Sequence, residues 1–419
     1  MTHLGLNSAV AAAEKGFQVV CYDSGPSCIV ALARHEMSVV EPGLTELFEK
    51  NKTRLSLTTD LRDLIFCDVV YISSDVPTDD QGQSDLEQVK AYIRQVQEVL
   101  RSKVPVVVLS QVPPGFTRSQ VQVCKTNLYY QVETLIFGRA LERALRPERI
   151  IIGCAQPKES LPSSLADFLK NFDCPILPMR YESAELAKIS INMCLAASVT
   201  VANTLAELCE HAGADWSEIV PALKLDKRIG LHAYLAPGLG LSGGNLERDL
   251  ATVCRMADRH GTDAGVVRAY LANSQYRKDW VLRTLYEKVL RHVKKPVLGV
   301  LGLSYKADTH SIKNSPSVTL IQHLKPYSIR VFDPVVSVPD ELKSHCHGAT
   351  SEFEACEGVN ALLIMTPWER FKKLDPSEVA KRMKGKVLLD PYGVLDAQAC
   401  LEAGLKYITL GARRDNPSE

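Results

Sequence analysis

The chain has 419 residues, 46% hydrophobic and 23% charged, enough material for two or three globular domains with buried cores. Forty-nine basic and forty-nine acidic residues cancel, which excludes a long-range field for nucleic acid or an anionic membrane and leaves room only for a local anion site. Twelve cysteines without a C-x-x-C pair, no continuous 18-residue apolar run and no signal-peptide pattern predict a soluble, cytoplasmic protein with no membrane partner.

Met1-Thr2-His3-Leu4-Gly5 leads into an Ala-rich helix predicted from Ser8 to Lys15, a strand from Phe17 to Tyr22, and then Asp23. A glycine turn at a helix N-terminus, with an acidic residue ending the next strand, is the rear of an NAD fingerprint. The turn lets pyrophosphate reach backbone N–H groups, and the carboxylate takes the ribose hydroxyls. Gly5 fits the last glycine of that fingerprint and Thr2 stands at the middle one; the first glycine and its strand would precede Met1. Two explanations stay open: a fragment or start-site variant of a longer chain, or a protein lacking its central first strand. An Asp in a turn after a strand is the plain alternative, and the fingerprint alone does not name NAD.

Further strands are predicted at Cys67–Ser73 and Val104–Leu109, with helices between them. Apolar strands alternating with helices predict a parallel sheet covered on both faces. From Glu182 to Ala214 the pattern becomes one long helix, free of Gly and Pro until Gly213. Its small and apolar residues, Ala196, Ala197 and Ala202 among them, continue round more than one stripe and predict a homodimer. A second βα series follows from Pro296, with strands at Val297–Leu303, Ser328–Phe332, Ala361–Met365 and Lys386–Leu389. The predicted fold class is α/β: two Rossmann-like parallel-sheet domains joined by a central long helix, divided at 1–178, 179–290 and 291–419. His345-Cys346-His347 is expected to be a surface loop rather than a metal site, since alternate residues of a strand face opposite ways and no second pair has zinc-like spacing. Asp415–Glu419 is expected to be a frayed tail.

Several longer stretches recur in a known order: Glu41-Pro42-Gly43-Leu44; Pro77, Gly82 and Asp85-Leu86; Ser110-Gln111-Val112-Pro113-Pro114-Gly115; Val132-Glu133-Thr134-Leu135; and Arg146 to Gly153. They continue with Glu185 to Asn192, Asp226-Lys227-Arg228-Ile229-Gly230, Pro237 to Asp249, Gly302 to Thr309 with Lys313-Asn314-Ser315-Pro316, and Phe332-Asp333-Pro334, Thr366-Pro367-Trp368 and Asp390-Pro391-Tyr392-Gly393. Over nearly the whole chain this resembles the NAD-dependent nucleotide-sugar dehydrogenases, the family of UDP-glucose 6-dehydrogenase.

The resemblance implies NAD held through Gly5, Asp23, Pro77, Gln111 and Lys313. It also implies a nucleotide-sugar substrate, a UDP-sugar foremost, contacted by Arg228, Gly240, Gly243 and Lys306, and a place in polysaccharide biosynthesis. Glu133 carries over as the acid/base carboxylate, its alternative being a cap or surface pair. Lys188 and Asn192, four apart on one helix, would donate together to oxygen at the reacting carbon, with Asp249 beside them. Departures are specific. Val76 and Gln111 replace threonines, Arg248 replaces a lysine, Lys313 replaces an arginine, Tyr392 stands where an arginine is lost, and Asn245 falls on the nucleophilic cysteine.

That family takes a primary alcohol to a carboxylate by two hydride transfers, the second through a covalent thiohemiacetal. An amide cannot form that adduct, and Cys254 lies nine residues on, in a predicted helix. The expectation is an oxidoreductase limited to one two-electron step, with Asn245 counted among the catalytic residues at the position of the family's cysteine. The alternative is a non-catalytic homologue that binds a nucleotide sugar and regulates or scaffolds.

Overall fold

The structure is a computed structural model that describes residues 1–37, 41–77, 79, 83–101, 103–124 and 127–412. Gly82 of the Pro77–Leu86 segment and the tail Asp415–Glu419 lie outside the described residues. The chain divides into two compact units, Met1–Ile191 and Asn192–Glu419.

The first unit contains β1 (Val19–Tyr22), β2 (Leu55–Thr58), β3 (Val70–Ile72), β4 (Val106–Val108), β5 (Leu128–Gln131), β6 (Ile150–Cys154) and β7 (Ile176–Arg180). Valine and isoleucine dominate the central strands, and β4 and β6 are buried throughout, as strands covered on both faces must be. β3 to β7 form one sheet in sequence order. It is not wholly parallel, contrary to the sequence expectation: β6 runs antiparallel to β5, with Tyr130 opposite Gly153. Residues 132–149 between them hold a single short helix, Ala140–Leu145, and return the chain in the opposite direction. β1 and β2 pair with each other as a separate parallel sheet. β1 and β3, which would flank the first strand of a doubly wound sheet, share no ladder.

The first helix spans His3–Glu14 and starts five residues earlier than its apolar pattern suggests. Thr2 is the reason: its hydroxyl oxygen accepts the Gly5 N–H at 3.0 Å and donates to the Ser73 carbonyl at 2.7 Å, so the cap fixes the start.

The second unit holds β8 (Val297–Leu301), β9 (Ser328–Phe332), β10 (Cys346–Gly348), β11 (Ala361–Ile364), β12 (Val387–Leu389) and β13 (Lys406–Ile408). They form a wholly parallel sheet in the order β10-β9-β8-β11-β12-β13, the doubly wound arrangement with its switch point between β8 and β11. The loop expected at His345-Cys346-His347 is corrected: Cys346 and His347 belong to the edge strand β10, Cys346 buried and His347 exposed. Among the described residues no three His, Cys, Asp or Glu side chains gather as metal ligands would.

The long helix, Tyr181–Ala212, runs through the division between the units. By length and composition alone it could cross a membrane, with a mean hydropathy of 1.5 over its most apolar stretch. Its polar groups are nevertheless satisfied inside the protein. Glu185, Asn192, Asn203 and Glu210 are all buried and hydrogen-bonded, while Val201, Leu205 and Leu208 are exposed.

Candidate active site

In the first unit, Glu133 follows β5 and is held by its own loop, one oxygen accepting the Leu135 N–H. Its other oxygen faces the Lys188 ammonium at 3.5 Å, both side chains largely buried. The sequence placed these residues 55 apart and the fold brings them together, as a largely buried pair rather than the surface pair that was the alternative for Glu133. Gln111 sits half-buried in the turn after β4, where Ser110 donates to the Ser74 carbonyl at 2.6 Å. Pro77 is exposed, its carbonyl accepting the Asp85 N–H at 2.8 Å.

Two buried carboxylates that composition did not single out hold these loops. Glu185, 0% exposed, accepts the N–H groups of Gly115 at 2.6 Å and Thr117 at 2.8 Å. Glu41 accepts those of Gly138 and Ala140 and faces His3 Nε2 at 2.7 Å. Burial holds the Glu185 carboxyl above its ordinary range despite those donors. A cavity of about 90 Å³ opens beside Glu133 between Leu4, Tyr71, Phe168 and Phe172.

In the second unit, Asn192 donates to Asp249 at 2.5 Å, and Arg248 faces the other oxygen of Asp249 at 3.4 Å. Asp249 is 2% exposed, and these two donors satisfy what would otherwise be a costly buried charge. Asn245 is the first residue of the helix Asn245–His260 and is exposed, one turn before Asp249. The loop before it is shaped by glycines. Gly240, Gly243 and Gly244 all have positive φ, and a Cβ on Gly243 would lie 2.5 Å from the Tyr305 ring. Lys313 lies along Gly244, and its carbonyl accepts the Gly243 N–H at 3.2 Å. Lys306 is half-buried beside Tyr305. Arg228 is the outlier: its side chain is 89% exposed and its guanidinium contacts go to its near neighbour Asp226, with none to the loop 237–249.

Sequence reasoning missed the residues that carry this loop. Asn203 accepts the Gly238 N–H at 2.8 Å and Ser274 accepts the Leu241 N–H at 2.8 Å, while Tyr392, which the motif pattern did name, lies against Gly238. A lone Asn or Ser on an amphipathic helix gives no signal of such a role.

Residues 1–173 match the NAD binding domain of the UDP-glucose/GDP-mannose dehydrogenase family, residues 182–275 its central domain and residues 299–397 its UDP binding domain. This chain belongs to that family. It is 29% identical to UDP-glucose 6-dehydrogenase TuaD of Bacillus subtilis over 436 residues, 100% of this chain and 94% of the relative. It is also 29% identical to the UDP-glucose 6-dehydrogenase of Pseudomonas aeruginosa, covering 98% of this chain and 96% of the other. The solved UDP-glucose dehydrogenase of Pyrobaculum islandicum superposes with a TM-score of 0.84 at 28% identity, over 98% of this chain and 96% of that one. A UDP-D-ManNAc dehydrogenase from Pyrococcus horikoshii shares the fold at the same TM-score and 22% identity, over 99% and 98% of the two chains.

The family is one of NAD-dependent nucleotide-sugar dehydrogenases, so the enzyme reading and the NAD cofactor both hold for this dehydrogenase. The N-terminal residues fit the cofactor. Asp23 follows β1, the position from which a carboxylate could reach a ribose, and its Oδ1 accepts the Gly25 N–H at 2.8 Å. A Cβ at Gly5 would lie 2.6 Å from Ser73 Oγ, so the glycine lets the start of the first helix lie close to Ser73.

Proposed function

We propose that this dehydrogenase oxidises the CH–OH group of a nucleotide sugar, a UDP-sugar foremost, by a single two-electron step. The observation that carries the reading is Asn245. The glycine loop keeps its shape, yet the residue at the head of the helix Asn245–His260 is an exposed amide with no thiolate to add to a carbonyl. Cys254 does not replace it: nine residues further along the same helix is about 13 Å of rise, and its side chain packs against the cluster of Ala196, Leu250 and Val267.

NAD, when bound through Gly5, Asp23, Pro77, Gln111 and Lys313, supplies the hydride acceptor. Lys188 and Asn192 donate to the substrate oxygen as charge develops on it, and Asp249 orients Asn192 through their hydrogen bond. Glu133 sets the Lys188 ammonium and takes up the proton. Gly240 and Gly243 bring backbone close to the sugar, and Lys306 and Arg228 answer the phosphates, Arg228 after leaving Asp226.

We propose the three-domain division 1–178, 179–290 and 291–419, which the matched ranges 1–173, 182–275 and 299–397 support. A homodimer built on the long helix is proposed from the exposed Val201, Leu205 and Leu208, a seam at 4,3 spacing that a second copy would cover. A cytoplasmic place, in the supply of polysaccharide precursors, accords with the eleven described cysteines all being free thiols. The second reading, a binding homologue without turnover, draws on Arg248, whose guanidinium is turned onto Asp249.

The test is to incubate the chain with NAD and a panel of UDP-, GDP- and dTDP-sugars and count NADH per sugar consumed. About one NADH, with a carbonyl product trapped by hydroxylamine, is expected from the two-electron step. Two NADH and a carboxylate refute it, and no NADH on any sugar moves the assignment to the binding homologue. Asn245→Cys, with Gln111→Thr, is expected to restore the second step.

A further inference from the structure

A carboxylate with no exposed surface is expensive unless a cation or several donors meet it. Glu185 is in that position, yet it takes part in no ion pair among the described residues. Its oxygens are taken by the backbone N–H groups of Gly115 and Thr117, at the start of the helix Phe116–Cys124. Those are among the N–H groups that a helix leaves without an internal partner, and they carry the positive end of its dipole.

Local capping would need only a Ser or Asp beside Phe116. Here the cap arrives from about 70 residues further along, on the helix that carries Lys188. Glu185 and Lys188 are three positions apart, adjacent on one helical face and separated by about 4.5 Å of rise. The same end of the long helix has two more ties. Tyr181 donates to the Leu128 carbonyl at 2.6 Å, and Arg118 forks onto Glu182 and lies over the Tyr181 ring. The Arg118–Glu182 pair is about 40% exposed on both sides, so solvent weakens it, and Tyr181 acts a full turn before Glu185.

We infer that Glu185 is a positioning residue: by capping the helix Phe116–Cys124 it sets the rotation of the long helix, which holds Lys188 against Glu133 and fixes the turn 110–115 that carries Gln111. The catalytic consequence rests on the proposed role of Lys188; the geometric one does not.

The full chain and its Glu185→Gln, Glu185→Asp and Glu182→Gln variants are treated with an amine-reactive acylating reagent, and Lys188 labelling is followed by mass spectrometry. Lys170, exposed in the same unit, is the internal reference. Glutamine sets an NH2 against one backbone N–H, and aspartate falls short by one methylene. Both are expected to raise Lys188 labelling about tenfold over Lys170, as local opening frees the ammonium from Glu133, while Glu182→Gln leaves it within about twofold. In the same variants kcat falls with little change in KM.

Unchanged Lys188 labelling in both Glu185 variants, with only a lower melting midpoint, overturns the inference and leaves a structural cap. If the glutamine variant does not fold, the aspartate variant decides alone. Labelling requires neither NAD nor sugar, so a chain that makes no NADH contradicts the proposed function without touching this result.

Discussion

The turn that carries Gln111 and the loop that carries Asn245 are held in different ways. The turn is fixed by a remote ionisable group, the Glu185 carboxylate on Gly115 and Thr117. The loop is held by glycines at positive φ packed against Tyr305 and Ser274, with two neutral side chains, Asn203 and Ser274, accepting its N–H groups. A shape held by glycines tolerates a new side chain at its tip, because Asn245 takes no part in holding it. A shape held by one carboxylate is sensitive to any change in that carboxylate's charge or reach.

The largest effect should come from breaking the backbone half of that contrast. Gly240→Ala puts a Cβ about where the Ser274 carbonyl oxygen stands, 2.5 Å away, at φ +78. We expect a loss on the order of 3 kcal/mol in denaturant unfolding. Gly213→Ala, with φ +74 and nothing within 4 Å, isolates the left-handed strain and should cost about 1 kcal/mol. Equal costs at the two sites would show that the loop does not depend on close packing.

Asn192→Ala comes next. It removes a side-chain donor that stands 2.5 Å from buried Asp249, and should cost about 1–3 kcal/mol in the same measurement. Asn192→Asp should cost more, since it sets a second carboxylate against a buried one. If both variants are neutral, Asp249 does not need Asn192 and the polar pair is incidental.

The smallest effect is one of pH, and it belongs to the turn alone. Burial raises the Glu185 carboxyl above its ordinary value of 4.5. For a group raised in the folded state, its contribution is fully present below the unfolded value and is lost as pH rises through the folded one. The melting midpoint should therefore decline over the window just above 4.5 in the unaltered chain, and Glu185→Gln should flatten that decline. Asp390, also raised by burial, remains in both proteins and cancels in the difference. An identical pH slope in the two proteins would mean that Glu185 bears no net cost of burial.

Much of the fold was legible because it is written in local pattern. The strands β8, β9, β11 and β12 lie where apolar runs put them, and the long helix starts within one residue of its predicted start. β2, β5, β6, β7, β10 and β13 were not read. Most are three to five residues long with mixed polarity, and neighbouring strands rather than their own periodicity make them strands. β6 is an apolar run of five residues, and neither its being a strand nor its antiparallel direction was read, since an apolar run carries no direction.

The sequence by itself determined the family, the NAD cofactor, the α/β class with its long helix, and the amide rather than a thiol at position 245. All of these reside in residue identity and spacing along the chain. Only the tertiary structure decided that Glu133 meets Lys188, that Asn192 and Arg248 share Asp249, that Arg228 turns onto Asp226, and that Glu185 caps a helix about 70 residues away. Such contacts join residues whose distance in the chain bears no relation to their distance in space. A buried carboxylate can take donors from any element folded against it, and its own neighbours in sequence do not reveal which one that is.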